Sequence, residues 1–394
     1  MKANRPPVSY TLYKHTDKRS QSLFEKSTKR TIPLRAYLSN WLYLLSFATS
    51  IFLFHACSSE VHSNASLKPY AHSELDQIAV IADPILWNSD LQDTFEYYFT
   101  SAYPILPHPE PRYDLLYFSP EELLETPLRR ELRIYVLLIN LSNNKSPLTQ
   151  MALQDLPKGK ITEAETKGHL TVFGYDKWAE GQMLIYMVGK NPEALKKAIV
   201  EDFPGIDQKL KAFQKEKVAA SVYFGGRARG IEKKIEGQFG IRLKIPAKYK
   251  VALEDQNFLW LRNDSRQEVT MGILLYKVPY EDKEQLSYKG FKEVRNAAGR
   301  YISTHVPNTH MIINDRDLPM FTRQLQLNGI YAIEARGIWE IDHDFMGGPF
   351  ISYLLLNPKT NELILIDGFV FAPGENKRRY MREVEHILHS VQLM

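Results

Sequence analysis

Cys57 is the only cysteine among 394 residues, so this chain cannot be held together by an intrachain disulfide. Its stability has to come from buried apolar surface instead. The same residue closes a distinctive stretch. Ala36 to Ala56 (AYLSNWLYLLSFATSIFLFHA) carries no charged side chain, while Met1 to Ala36 holds nine Lys or Arg against Asp17 and Glu25. Positive flanks of an apolar run stay on the cytoplasmic side, so the chain after the run is expected to be translocated whether the run is cleaved or kept. Without this leader the charge changes sign. The whole sequence has 50 basic and 46 acidic residues; removing the leader's nine and two leaves 41 against 44, a net charge of −3. That balance gives no support to nucleic-acid binding, which needs a surplus of positive charge to neutralise phosphates.

Phe54-His55-Ala56-Cys57 resembles the bacterial lipobox, in which a small residue precedes a cysteine that receives diacylglycerol. Ala56 and Cys57 match it. Phe54 stands where Leu is usual and His55 where a small residue is usual. The expectation is lipidation at Cys57 and export into the cell envelope, with anchoring at the periplasmic face of the outer membrane, since Ser58 rather than an aspartate follows the cysteine. A retained anchor helix is the alternative: at about 1.5 Å per residue the run is long enough for the ~30 Å hydrocarbon core. Four regions are expected: 1–57 as leader and signal segment, 58–76 as a polar tether, 77–224 as an amino-terminal α/β domain, and 225–394 as a carboxyl-terminal α+β domain.

In the first domain, Gln77 to Ala82 and Arg133 to Leu141 are continuous apolar runs of the buried-strand kind, with further strands at Tyr113 to Phe118 and Gln182 to Val188. Leu91, Phe95, Tyr98 and Phe99 have helical spacing, and the prolines between Tyr103 and Pro111 favour extended geometry. Ser119-Pro120-Glu121-Glu122 predicts a helix start with a capping box. Asn191-Pro192 starts another helix, interrupted at Pro204-Gly205. A polar stretch to about Thr166 shows no element. Gly225-Gly226 marks the change of domain. Beyond it, Gly240 to Pro246, Phe258 to Arg262, Val269 to Val278 and Gln324 to Ile341 are expected as strands, and Lys283 to Tyr301 as a helix. Phe350 to Leu356 and Leu363 to Phe371 make a hairpin, and a final helix opens near Asn376. The expected fold class is therefore α/β and α+β, two domains each with a β-sheet packed with helices, the second sheet covered on one side.

Ile78-Ala-Val-Ile-Ala-Asp-Pro-Ile-Leu-Trp87, the proline segment ending at Glu110-Pro111, Phe239 to Pro246, Asp344-Phe-Met-Gly-Gly-Pro-Phe350 and Asp367-Gly-Phe-Val-Phe-Ala-Pro-Gly374 together resemble the lipoprotein family filed as domain of unknown function 4837. The resemblance runs from about Gln77 to the carboxyl end. It implies an envelope lipoprotein without established activity, so no catalytic residue is carried over. The carboxyl-terminal half is also similar in element order to binding domains of the PsbP and Mog type, an analogy of fold only.

The residues that invite chemistry are few. Asp342-His343-Asp344 lacks a second cluster that would complete a metal site, so no metal or other cofactor is expected. His386 and His389 fall opposite the apolar face of the last helix and are expected in solvent. Gly225-Gly226-Arg227 with Arg229 lacks both phosphate-loop and dinucleotide fingerprints and is expected as a linker. Gly347-Gly348-Pro349 is expected as a turn. The aromatics Trp339, Phe345, Phe350, Tyr353, Phe369 and Phe371 suit core packing, or else the wall of a groove. The candidate groove or partner surface comprises Trp339, Asp344, Phe345, Gly347, Gly348, Asp367 and Phe369. Neither a Gly-x-Ser-x-Gly elbow nor a His-Glu-x-x-His pair occurs. The expected role is a non-catalytic binding or accessory module in envelope assembly or maintenance. It would be held to the membrane by lipid on Cys57 and would present sheet surfaces and the proline segment to a protein partner. The alternatives are a hydrolase of an envelope glycan or peptide, which would show a cleft with carboxylates of split proton affinity, and a carrier of an apolar small molecule.

Overall fold

A computed structural model describes residues 68–394 apart from 267. The described residues form one compact unit, and Cys57, the apolar run and the first part of the expected tether lie outside them.

The amino-terminal lobe alternates strand and helix: β1 (Gln77–Ala82), α1 (Pro84–Trp87), α2 (Asp90–Phe99), β2 (Asp114–Phe118), α3 (Pro120–Glu125), β3 (Ile134–Asn140), α4 (Pro147–Asp155), α5 (Lys158–Lys167), β4 (His169–Tyr175), β5 (Met183–Gly189) and α6 (Pro192–Val222). The sheet order is β2-β1-β3-β5-β4, parallel except for β4, which runs antiparallel to β5 at the edge. The three inner strands are buried on both faces, which is why they are apolar throughout rather than alternating. On one face α6 packs Leu195, Ile199 and Ile206 against Val80, Val136 and Ile185. On the other, Leu123 of α3, Leu148 of α4 and Ala164 of α5 cover Ile81, Leu137 and Leu184. The predicted capping box of α3 is present: the Glu122 N–H donates to Ser119 Oγ at 3.2 Å, and the Ser119 N–H to Glu122 Oε2 at 2.9 Å.

Three expectations for this lobe change. The polar stretch holds α4 and α5, followed by β4; α5 buries only Ala164, so its sequence carries almost no amphipathic signal. Pro204 does not end a helix. It sits inside α6, where buried Phe203 and Ile206 on either side outweigh a cost of about 3 kcal/mol for the missing N–H and the ring clash. The tether is shorter than 58–76: the Ala71 N–H donates to the Glu180 carbonyl and the His72 N–H to that of Glu131, both at 2.8 Å, and Asp76 is buried.

The carboxyl-terminal lobe contains α7 (Arg229–Phe239), β6 (Ile241–Arg242), β7 (Lys250–Asp255), β8 (Phe258–Arg266), β9 (Val269–Pro279), α8 (Tyr288–Gly299), β10 (Met311–Asn314), β11 (Phe321–Leu327), β12 (Ile330–Ile341), β13 (Gly347–Asn357), β14 (Glu362–Phe371), α9 (Arg378–Leu388) and β15 (Gln392–Leu393). Its main sheet has the order β10-β12-β13-β14-β9-β8-β7, with β11 also paired to β12, and every pairing is antiparallel. The expected single strand over Gln324 to Ile341 is a hairpin, because Asn328 and Gly329 both have positive φ (51° and 82°) and reverse the chain. Of the strand expected over Gly240 to Pro246 only β6 is regular, pairing with β15.

Helices cover both faces of this sheet, not one. Phe291 and Ala298 of α8 pack on Trp339, Phe350 and Phe369. Ile235 and Phe239 of α7, with Val384, Ile387 and Leu388 of α9, pack on Ile273, Ile351 and Ile366. The reason lies in β13 and β14, which are buried almost end to end and so need an apolar layer above and below.

The lobes interlock through the proline segment. Tyr103 and Leu106 enter the core of the carboxyl-terminal lobe beside Val218 and Val222 of α6. The buried Glu110 carboxylate accepts the N–H groups of Lys377 (2.6 Å) and Arg378 (3.0 Å), capping α9 from the other lobe. Arg378 of α9 pairs with Asp76 at 2.8 Å, and Arg382 of α9 reaches the same carboxylate. Tyr103, Leu106 and Glu110 of the proline segment are thus occupied inside the molecule, while Pro104, His108 and Pro109 stay exposed.

Candidate functional site: a charged cleft between the lobes

β11, β12 and β13 place three polar side chains in one row. In register, Arg323 lies opposite Glu334, and Glu334 opposite Tyr353. Arg336 follows two residues after Glu334, and side chains two apart on a strand share a face. The row therefore projects toward α9, which supplies Glu385 and, one turn later, His389.

Glu334 is buried and accepts a fork from Arg323 at 3.0 and 2.8 Å, one bond from Arg336 at 3.0 Å, and the Tyr353 hydroxyl at 3.0 Å. Arg336 also pairs with Glu385, to which the Tyr103 hydroxyl donates at 3.3 Å. His389 Nε2 stands 2.7 Å from the Tyr353 hydroxyl. An ionised Glu334 can only accept, so Tyr353 spends its one proton there and His389 must donate, which makes it the Nε2–H tautomer.

Burial opposes ionisation of Glu334, yet the Arg323 and Arg336 guanidiniums hold it below the usual carboxylate range. Burial likewise opposes ionisation of Glu385, and the charge and hydrogen bonds of Arg336 bring it down. Arg336 is raised above its ordinary value despite its own burial, by Glu385 and Glu334. Burial and neighbouring charges lower His386, and His389 is lowered chiefly by burial. Tyr353 and Tyr103 are raised by burial and by Glu385, so both stay protonated.

This network floors a cleft of about 820 Å³. Pro104 and Ile105 of the proline segment, Val218 of α6 and Phe321 of β11 supply apolar wall. Six cations line it: Arg112, Lys211, Lys215, Arg323, Arg336 and Arg382. Glu334 and Glu385 are the carboxylates in the wall, while Asp76 and Asp207 stand behind Arg382, Arg112 and Lys211. Positive charge exceeds negative even after those partners are included. Such a cleft can fix an anion against cations whose positions the fold has already set.

The candidate groove residues singled out from sequence lie elsewhere, whereas Tyr353, His386 and His389 belong to the cleft and its network. Trp339, Asp367 and Phe369 are buried in the core beneath α8, with the Trp339 and Phe369 rings 5.3 Å apart, so they cannot wall an open groove. Phe350 and Tyr353 are also buried. Asp367 pairs with Arg295 at 3.0 Å and accepts the Ser352 hydroxyl. Gly347 and Gly348 are not a turn but the start of β13. A Cβ on Gly348 would lie 2.0 Å from the Val370 carbonyl oxygen, so a close approach between strands requires glycine there. Asp344 and Phe345 stand in the turn before it, Phe345 fully exposed. Arg227 forks onto Glu232 at 2.7 and 2.8 Å, so the glycine linker cradles no anion with it. His386 is half-buried rather than bathed in solvent, whereas His389 is exposed, as expected, with its Nε2 on the Tyr353 hydroxyl. Among the described residues no group of three His, Cys, Asp or Glu could hold a metal ion, and no helix is long and apolar enough to cross a membrane.

Residues 228–390 match the family described as Domain of unknown function (DUF4837), and residues 71–221 match a second, Domain of unknown function (DUF8532). No curated protein matches the chain. Among solved structures, the Saccharomyces cerevisiae Ran-binding protein Mog1p aligns at 10% identity and a TM-score of 0.27, covering 39% of this chain and 90% of that one. A point mutant of protein Mog1 aligns over the same shares at 9% and 0.27. A Bacteroides thetaiotaomicron protein aligns at 9% identity and 0.23, covering 39% of this chain and 45% of its own.

Proposed function

We propose that this chain, whose carboxyl-terminal half belongs to that first domain-of-unknown-function family, is a non-catalytic binding or accessory module of the cell envelope. In this reading lipid on Cys57 holds it to the membrane, a protein partner in the envelope is served, and the cleft between the lobes takes an anionic group. Support for the anchor comes from the uncharged run ending at Ala56-Cys57 and from the basic leader before it. The observation that carries the binding role is the cleft: six Arg or Lys around two carboxylates, with apolar wall beside them.

The same network argues against hydrolysis at this place. An acid–base pair needs one carboxyl to keep its proton near neutral pH while the other gives it up. Arg336 lowers both Glu334 and Glu385, so neither is a proton donor. A carrier of a wholly apolar molecule would have to place it against these charges, at a cost of several kcal/mol per unpaired ion.

Two measurements test the reading. Labelled palmitate should enter the wild type in its bacterial host and not Cys57→Ala; equal labelling would remove the anchor. Thermal melting of the full chain at constant ionic strength should show a rise with inorganic phosphate or decyl phosphate over chloride, because a ligand of the folded state stabilises it. No rise with either would remove the anionic ligand.

A further inference from the structure

A second hollow, of about 730 Å³, lies on the amino-terminal lobe between β4 and α6. It does not depend on the charged cleft. β4 is an edge strand, and its hydrogen-bonding phase can be read from its ends. The Lys190 N–H donates to the Gly168 carbonyl (2.9 Å) and the Asp176 N–H to that of Gln182 (3.3 Å). Both contacts fall in the register that pairs Leu170 with Val188 and Val172 with Tyr186. In an antiparallel ladder, bonded and non-bonded pairs alternate. The even-numbered residues of β4 therefore bond to β5, and the N–H and C=O groups of His169, Thr171 and Phe173 point outward. Those groups have no backbone partner among the described residues.

Exposed edges are normally blunted by lysine, proline or a bulge. β7, an edge of the other sheet, shows two such devices: a charged sequence, KVALED, and a register break between Val251 and Leu253. β4 (HLTVFGY) has no proline or lysine and no register break. α6 runs alongside it as a wall. Thr171 bonds Asp202 at 2.7 Å, Lys209 lies over the Phe173 ring, and Tyr175 meets Phe213. From 202 to 213 a helix rises about 17 Å and from 171 to 175 a strand about 13 Å, so the two elements keep step along the hollow. Gly205 lies between these contacts on the α6 wall, and a Cβ there would meet nothing within 4 Å.

We propose that this strand–helix hollow is a peptide-binding groove, in which an extended segment of a partner protein adds to β4 as a sixth strand and lays an apolar side chain over Gly205 against Phe173. The outward backbone groups repeat at strand spacing, the pattern with which an added extended backbone pairs. Half-buried Phe173 and open Gly205 are part of the lining, together with the charged Lys167, Glu201, Asp202 and Lys209.

The test is selection of random peptides of about twelve residues on the full-length protein in detergent, followed by amide hydrogen exchange and titration of one selected peptide. The expected result is protection of the Thr171 and Phe173 amides on binding. Gly205→Trp should weaken the peptide at least tenfold, about 1.4 kcal/mol, because its ring occupies the hollow, and thermal stability should change little, because its Cβ meets nothing within 4 Å. Thr171→Pro, which removes one outward donor and no ladder bond, should weaken it as well. The proposal is overturned if selection yields no binder, if the bound peptide protects other amides, or if Gly205→Trp binds it as tightly as wild type. Anion binding in the charged cleft should survive Gly205→Trp, so the two sites fail or stand separately.

Discussion

Two arginine–carboxylate clusters lie on opposite faces of the carboxyl-terminal sheet, and they differ in what surrounds them. Arg295 and Asp367 are sealed under α8, with side chains 2% and 1% exposed, and the guanidinium rests 3.7 Å from the Phe350 ring centre. Arg336, Glu334 and Glu385 use the same chemistry on the α9 face, but Arg323 beside them is 67% exposed and the cluster opens into the cleft. A sealed pair can only shape the fold. An open one still holds its geometry and can also meet a ligand, which is why function is assigned to the second cluster and not to the one containing Asp367.

The largest expected effect separates the two. Asp367→Ala leaves Arg295 buried without its carboxylate and should cost about 3–5 kcal/mol in urea unfolding, while Arg295→Met with Asp367→Leu should recover most of that loss. Glu385→Gln keeps the shape of the open cluster but removes one charge from Arg336, which retains Glu334; a loss of about 1.5–3 kcal/mol is expected by the same method. If the open cluster proved as costly to break as the sealed one, the distinction between them would fail.

Glu110→Ala acts between the lobes. It removes the carboxylate cap of α9 and should cost about 1–2 kcal/mol, with faster amide exchange in the first turn of that helix.

Acid should expose the open cluster next. His386 and His389 are lowered from 6.5, so below that pH the unfolded chain takes up protons that the folded chain refuses, and stability falls as pH falls. Glu334 and Glu385 are lowered from 4.5; their contribution is complete above that value and is lost as pH drops through their folded values. His389→Gln keeps a donor for Tyr353 and should flatten part of the first step, the smallest effect of the series. Melting curves from pH 7 down to 2.5 would check the order.

The sequence made the architecture largely legible and the cleft hardly at all. β1, β3 and β5 announce themselves because burial on both faces leaves unbroken apolar runs, and Ser119-Pro120 with Glu122 marks a helix start by chemistry alone. α5 and β4 were hidden because neither carries a strong period. The cleft residues come from β11, β12, β13, α6, α9 and the proline segment, and no local pattern announces their meeting. Two spacings offered a trace of it: Glu334 and Arg336 two apart on a strand, and Glu385 and His389 one helical turn apart. The aromatic and glycine cluster around Trp339 and Gly348 drew the eye for the opposite reason, since tight packing concentrates unusual residues as readily as a binding site does.

Isothermal titration of the full-length protein with decyl phosphate, beside the variant Lys215→Glu, tests the central claim most directly, because Lys215 lines the cleft, is exposed and holds none of the buried carboxylates. Saturable binding by the wild type that weakens with salt and falls at least tenfold in the variant, whose melting temperature should change little, is the predicted result. Wild-type binding that the charge reversal leaves intact, or no binding by either protein, would contradict an anion site in the cleft.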